Sequence, residues 1–403
     1  MPNKFLSPEG DLENYLITES WLIDQWVGDT LWGWRDNDKA QLGNNATNGG
    51  TTPVTTFAGG ANWKQVSCGT DHTAAVKIDG TLWTWGSNQF GHLGINSGNT
   101  SSTPVTTFAG GTDWKQVSCG HYHTAAIKTD GTLWTWGRND NGQMGINIVV
   151  TAFESPRCTP ITTFAGGTNW KQVSCGGLHT AAIKTDGTLW VWGGNSSGQL
   201  GINFSNLINK STPVTTFAGG TNWKQVSGGS FYTAAIKTDG TLWTWGNNSN
   251  ASLGDNTIIN RSTPVTTFAG GTNWKQVSGG FYPTAAVKTD GTLWTWGSNQ
   301  FAQLGVNDRS IVCTPITTFT GGTNWKQVVT TITSRAAIKT DGTLWVWGYG
   351  NSVGAGGLGN NDTTNKSTPV TTFLGGTNWK QVECGEGHVM AVTSGTDPTI
   401  FIS

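Results

Sequence analysis

Apolar and polar residues alternate in short runs along most of the chain, and the runs return in one fixed order. Between residues 103 and 136 they read TPVTTF, WKQVS, HTAAIK and TLWTW, divided by Gly, Asn, Asp and Thr. A period of two in runs of about five residues, rich in β-branched and aromatic side chains, predicts β-strands. We label the runs A (WKQVS), B (HTAAIK), C (TLWTW) and D (TPVTTF). Asp-Gly lies between B and C, the two-residue hairpin signal whose glycine tolerates positive φ, so B and C are expected to pair antiparallel. In run C, Trp83 and Trp85 fall on one face and Leu82 and Thr84 on the other, so both faces of the sheet need cover.

The order repeats. WKQV recurs with its tryptophan at 63, 114, 170, 223, 274, 325 and 379, spaced 51 to 56 residues apart, and seven copies of TLWxW keep step with it. Three tryptophans in each of seven repeats account for all but Trp21 and Trp26 of the chain's 23. A four-stranded meander apolar on both faces is unstable alone, but seven packed radially cover one another. The expected fold is therefore all-β, a seven-bladed propeller of four-stranded antiparallel blades. Burying one tryptophan removes ~150–250 Å² from water, which at ~25 cal/mol/Å² is an upper bound of about 4–6 kcal/mol. The chain enters with a C run (Thr30–Trp34) and a D run (Thr52–Phe57) and its last full pair is A plus B (Trp379–Val392), so one blade is expected to be shared between the termini. The terminal TIFIS could add an edge strand or replace Thr30–Trp34, which leaves the register of closure open.

Two units follow: residues 29–403 as the propeller and residues 1–28 as an extension. In the extension, Leu12, Tyr15, Leu16, Leu22, Ile23 and Trp26 fall at helical spacing after the helix start Ser7-Pro8-Glu9, giving an amphipathic helix that caps the ring or anchors it to a larger assembly. The alternative is that Trp21–Val27 pairs as a strand beside Thr30–Trp34.

Composition removes several functions. The formal net charge is −1 with no basic run, so no nucleic-acid partner is expected. No apolar run reaches 18 residues and the start lacks a secretory h-region, so neither membrane insertion nor export is expected. Of 18 aspartates six occupy the hairpin turn, glutamates number six, and there is no phosphate loop or nucleophile elbow, so no enzyme is expected. Cys68/His72, Cys119/His123, Cys175/His179 and Cys384/His388 form CxxxH pairs of residue types that hold zinc. That spacing belongs to the repeat, however. The pairs are read as axial packing and backbone hydrogen bonding, and no metal or cofactor is expected.

In a meander the A–B and C–D connections emerge on one side and the B–C and D–A connections on the other. B–C is nearly always KTDG and D–A nearly always FAGGTNW, so one side is monotonous and the other carries the variation. The candidate binding residues are therefore Asp71, His121, Tyr122, Leu178, Phe231, Tyr232, Phe281 and Tyr282, in or beside the A–B loops, suited to protein or glycan contact.

The stretch VSCGHYHTAAIKTDGTLWTWGRNDNGQMG at residues 117–145 resembles the regulator of chromosome condensation repeat family, and residues 29–403 follow it. The resemblance implies a seven-bladed propeller; members include a nuclear guanine-nucleotide exchange factor and a secreted inhibitor of β-lactamases. The uniform KTDGTLWTWG variety is similar to repeat proteins of environmental bacteria and their phages. It implies a structural or recognition component of a virion (tail, baseplate or surface appendage), made in the host cytoplasm, joined to other protein subunits and meeting a host surface protein or glycan. A secreted inhibitor or adhesin, and an exchange factor, are the alternatives. Departures from the pattern are Gly33 and Arg35 in the first C run, and Gly228/Tyr232, Gly279/Pro283 and Thr330/Ser334 at the Cys/His positions, where local irregularity is expected.

Overall fold

In the computed structural model, residues 29–57, 61–149, 157–203, 207–350 and 357–395 are described. They form seven four-stranded antiparallel sheets, as the repeat count requires. Blade 1 is the shared one: Trp379–Cys384 (A) and His388–Thr393 (B) come from the end of the chain, Thr30–Arg35 (C) and Gly50–Thr55 (D) from its start. Thr30 pairs with Thr393 and Arg35 with His388, which fixes the register of closure. Blades 2 to 7 begin at Trp63, Trp114, Trp170, Trp223, Trp274 and Trp325, each running A, B, C, D outward from the axis. No helix occurs among the described residues. The expected N-terminal helix, its strand alternative and the TIFIS segment lie outside them.

The B–C connection differs from a two-residue hairpin. In blade 2 the Gly80 amide donates to the Lys77 carbonyl at 3.0 Å, and Gly80 alone takes positive φ (80°), so the turn is type I followed by a left-handed glycine. Asp79 stays at negative φ because its carboxylate accepts from the Thr81 amide (2.9 Å) and hydroxyl (2.7 Å). Thr81 Oγ1 in turn accepts from the Trp83 indole at 2.8 Å, which fixes that ring at the foot of the blade.

The core consists of seven seams between blades. At the seam of blades 1 and 2, Leu31, Leu42, Met390 and Val392 pack against Trp63, Val66, Ala75 and Trp85 of the next blade. Trp63 is fully buried, edge-on to Trp85 at 6.0 Å. The loop after run C supplies the bracket: the Gln41 carbonyl accepts from both Trp85 Nε1 (2.9 Å) and Thr73 Oγ1 (2.8 Å) of blade 2. Gly43 follows at φ 64°, where a Cβ would stand 2.7 Å from Trp85 Nε1, so the GxNxxGQLG glycine is needed for close approach.

Nearer the axis each A-strand glutamine reaches across a seam. Gln65 Nε2 donates to the Val117 carbonyl and its Oε1 accepts from the Val117 amide, both at 2.9 Å. Gln116, Gln172, Gln225, Gln276 and Gln327 do the same to the next blade, and Gln381 closes the circle on Val66.

The departures from the repeat compensate one another at the closing blade. Gly33 stands where other C strands carry threonine or valine, and its cross-strand partner is Met390, where other B strands carry alanine. A Cβ at Gly33 would meet Met390 Sδ at 2.5 Å. Arg35, at φ 81°, reaches blade 7 and donates to Ser334 Oγ at 2.5 Å, in the space that blades 1 to 4 fill with histidine. The buried Arg335 takes a threonine position and donates to the Gln303 and Thr284 carbonyls.

The Gly33/Met390 exchange yields a coupled prediction. Gly33→Thr alone should lower stability by roughly 1–3 kcal/mol through overpacking. Adding Met390→Ala, which restores the repeat's own pair, should recover most of the loss. Calorimetric melting of the two single variants and the double variant checks it, and additive losses would mean that the side chains do not share this space.

Candidate recognition face

The A–B loop of each blade meets the start of its own C–D loop: the Asp71 carbonyl accepts from the Ser87 amide at 2.8 Å and the Tyr122 carbonyl from the Arg138 amide at 2.9 Å. On the other side, the Gly80 carbonyl of a B–C turn accepts from the Trp114 amide at the end of a D–A loop. The two sides of the disc are thus divided as the meander requires. All seven A–B loops converge on the axis, around a cavity of about 150 Å³.

His121 holds this mouth together. Its Nε2 lies 2.9 Å from Glu386 Oε1 of blade 1 and 3.1 Å from Ser230 Oγ of blade 5. Its ring is parallel to Phe281 of blade 6 (8° between planes, centroids 6.0 Å apart) and edge-on to Phe231 of blade 5 at 6.5 Å. Phe231 and Phe281 meet at 5.6 Å, and Tyr282 packs on Phe281 at 4.4 Å. Loops with different sequences from blades 3, 5 and 6 thereby form one half-buried aromatic cluster, tied to blade 1 through Glu386. Leu178, also half-buried, sits on the same rim, its carbonyl accepting from the Gly194 amide.

A second cluster joins it through Tyr122. Phe90, from the C–D loop of blade 2, packs against Tyr122 at 5.0 Å, and the Arg138 guanidinium lies 5.3 Å from Phe90 and 5.8 Å from Tyr122. Asp140 holds that guanidinium at 2.5 Å. Nothing in the repeat singled out Phe90 or Arg138, although NQF at residues 88–90 and again at 299–301 was the available signal. Asp71 stands at the acidic edge of the mouth. Burial, then Asp38 and Glu386 nearby, push its carboxyl up to about 6.

Tyr232 is placed otherwise than expected. It is 1 % exposed and lies beneath the face, its hydroxyl donating to the Pro283 carbonyl and accepting from the Gly280 amide. It stands at the histidine position of its blade, so the inward alternation of strand B buries it.

The outer C–D loops of blades 3 to 6 expose aliphatic side chains, among them Val149, Ile208, Ile258 and Ile259, each more than half exposed. The opposite side presents a regular ring of exposed phenylalanines, Phe57 to Phe373, one per blade.

The CxxxH pairs are occupied by the fold. His72 Nε2 lies 2.9 Å from Thr124 Oγ1 of the next blade, and that hydroxyl donates to the His92 carbonyl at 2.8 Å. Having given its proton away, the hydroxyl must accept from Nε2–H, which sets the tautomer. His123, His179 and His388 repeat the arrangement. The Cys119 and Cys175 thiols donate to neighbouring serine carbonyls at 3.4 and 3.3 Å, and burial raises both, Cys175 to about 12, so they remain thiols. Among the described residues, no group of three or more His, Cys, Asp or Glu is placed to hold a metal ion.

Comparison with known proteins agrees with this geometry. A family model described as the RCC1-like domain matches residues 26–317 and 116–401. The ultraviolet-B receptor UVR8 of Arabidopsis thaliana is 30 % identical over 348 residues, covering 85 % of this chain and 77 % of that protein. Human WBSCR16 superposes with a TM-score of 0.77 at 20 % identity, over 91 % of this chain and 99 % of that one. Prp20p of Saccharomyces cerevisiae gives 0.78 at 17 % identity, over 93 % of each. The last two likenesses are of fold.

Burial of the imidazoles sets an acid limit on stability. It holds His92, His123, His179 and His388 down at about 3 and His72 well below its ordinary value, whereas an unfolded chain protonates histidine near ~6.5. Their contribution is complete above that pH and is lost progressively as pH falls toward about 3. Asp71, raised to about 6, Glu383, raised to about 7, and Asp36, also raised by burial, act in the opposite sense and lose their contributions as pH rises through their folded values. Five imidazoles outweigh three carboxyls, so Tm should fall steadily from pH 6.5 to 4.5 in calorimetry. A flat profile would mean that the imidazoles reach water.

Proposed function

Since this chain belongs to the RCC1-like domain family, we propose that it acts without catalysis, as a rigid ring recognising a protein partner through the face where the A–B and C–D loops emerge. The observation that carries this reading is the cluster of His121, Phe231, Phe281 and Tyr282. Those side chains are absent from the repeat consensus and come from different blades, yet they meet at one place. Half-buried aromatics on a rigid support lose little entropy on binding and are the usual anchors of protein interfaces. The relatives have similar roles: UVR8 is a receptor, and Prp20p is described with its binding properties to Gsp1p and histones.

The finer reading is that the assembly is a bacteriophage virion, with the ring in a tail, baseplate or surface appendage and residues 1–28 as its attachment. Its support is the near-identity of the KTDGTLWTWG copies, the repeat type similar to that of phage proteins. Mass spectrometry of purified particles tests it: the chain should be a stoichiometric component, and its absence would refute the virion assignment while leaving the recognition face standing.

The face is tested by Phe231→Asp and Phe281→Thr, which import the residues of the equivalent loop of blade 2 (Thr70-Asp71) and so respect the fold. Affinity purification from the source should retain a partner with the native chain, and the double variant should bind that partner at least about thirtyfold more weakly, as expected for hot-spot aromatics. Equal retention would place recognition elsewhere.

A further inference from the structure

Below the aromatic mouth, the axial cavity of about 150 Å³ has a wall of unusual chemistry. It is lined by the serines that end WKQVS in blades 2 to 6 and by thiols of the following position. Four of these serines, Ser67, Ser118, Ser174 and Ser227, accept the next strand's amide at 2.9–3.0 Å. Blade 1 breaks the series, with Glu383 where the other blades have serine or, in blade 7, Val329. Its carboxylate accepts from the side-chain Nε2 of Gln381 at 3.4 Å, a long contact. No lysine or arginine lines the cavity. A partly buried carboxylate without a cation beside it is destabilising, and such a departure from an otherwise regular pattern points to a functional position.

The lining selects the ligand. Anions find no positive side chain, and a metal ion finds no set of three ligating side chains among the described residues. The cavity's volume of about 150 Å³ is below the ~300–1,000 Å³ of pockets for larger ligands. An ammonium group has three donors and one charge, matching one carboxylate surrounded by hydroxyl oxygens. A short alkyl chain suits the thiols and the Phe281 ring at the mouth. We propose that the axial cavity is a binding site for a small primary alkylammonium ion, held by Glu383 and the ring of serine hydroxyls and closed over by the His121–Glu386 pair.

Burial pushes the Glu383 carboxyl up to about 7, so the site gains its charge near neutrality. The titratable groups around it are the Cys68, Cys119, Cys175 and Cys384 thiols, all raised by burial and neutral in this range, and the Glu386–His121 pair at the mouth. Affinity should therefore increase from pH 6 to pH 8.

Titration calorimetry of the full chain with n-butylammonium at pH 8 tests the proposal, with n-butanol as the neutral probe of the same shape. One saturable site is expected for the ammonium and none for the alcohol. Glu383→Ser, which installs the residue of the other blades, should weaken binding at least tenfold while leaving Tm unchanged or raised. Glu383→Gln, nearly isosteric, should do the same if serine alters the wall. Absence of saturable binding at pH 8, equal binding of butanol, or undiminished affinity in both variants would overturn the assignment. A partner protein captured or lost at the loop face bears on neither result.

Discussion

The whole molecule depends on one contact made seven times: the seam where a blade's leucines face the next blade's tryptophans and a glutamine side chain bridges the two A strands. A single blade has two apolar faces and would be marginal in water. The indoles supply the apolar burial, but burial has no direction. Direction comes from the polar parts of the seam. The glutamine amide satisfies both the N–H and the C=O of one valine, and at five of the seven seams a loop carbonyl takes the indole N–H and the threonine hydroxyl together. Sliding one blade against its neighbour would orphan several buried polar groups at once, each a loss of about 1–3 kcal/mol.

Because the seam is supplied by the repeat, the loops facing outward on one side are free to vary. That freedom explains why the same chain is monotonous on one face and irregular on the other. It also explains why the irregular residues cluster: A–B loops hang from the innermost strands, so seven different loop sequences converge on the axis. His121 touches residues of blades 1, 5 and 6 from blade 3, and only closed-ring geometry brings those positions together.

Much of this was legible in the chain. Repeat count, strand order, two-faced burial of run C and the shared blade all follow from alternation and spacing. The rest depended on information that pattern does not hold. Asp-Gly signalled a hairpin, but the aspartate's bonds to Thr81 keep it at negative φ, so the turn became type I with a left-handed glycine. Tyr232 reads as a loop aromatic because it lies beside an A–B loop, yet it stands at the inward histidine position and is buried. Gly33 and Met390 lie 357 residues apart, and their compensation is visible only once Thr30–Arg35 and His388–Thr393 are side by side. Glu383 breaks the serine series in the sequence, but only the place of the A strands around the axis puts it in the cavity wall.

The central claim is that the glutamine bridge closes all seven seams alike, including those of the blade made from both ends of the chain. Native-state hydrogen exchange at the valine amides that meet the glutamines measures this directly. The account predicts that Val66 and Val382, on either side of the closing blade, exchange as slowly as Val173, Val226 and Val277, all through global opening. Early exchange confined to residues 63–68 and 379–384, with the middle blades still protected, would show a ring that opens at its closure and would contradict it.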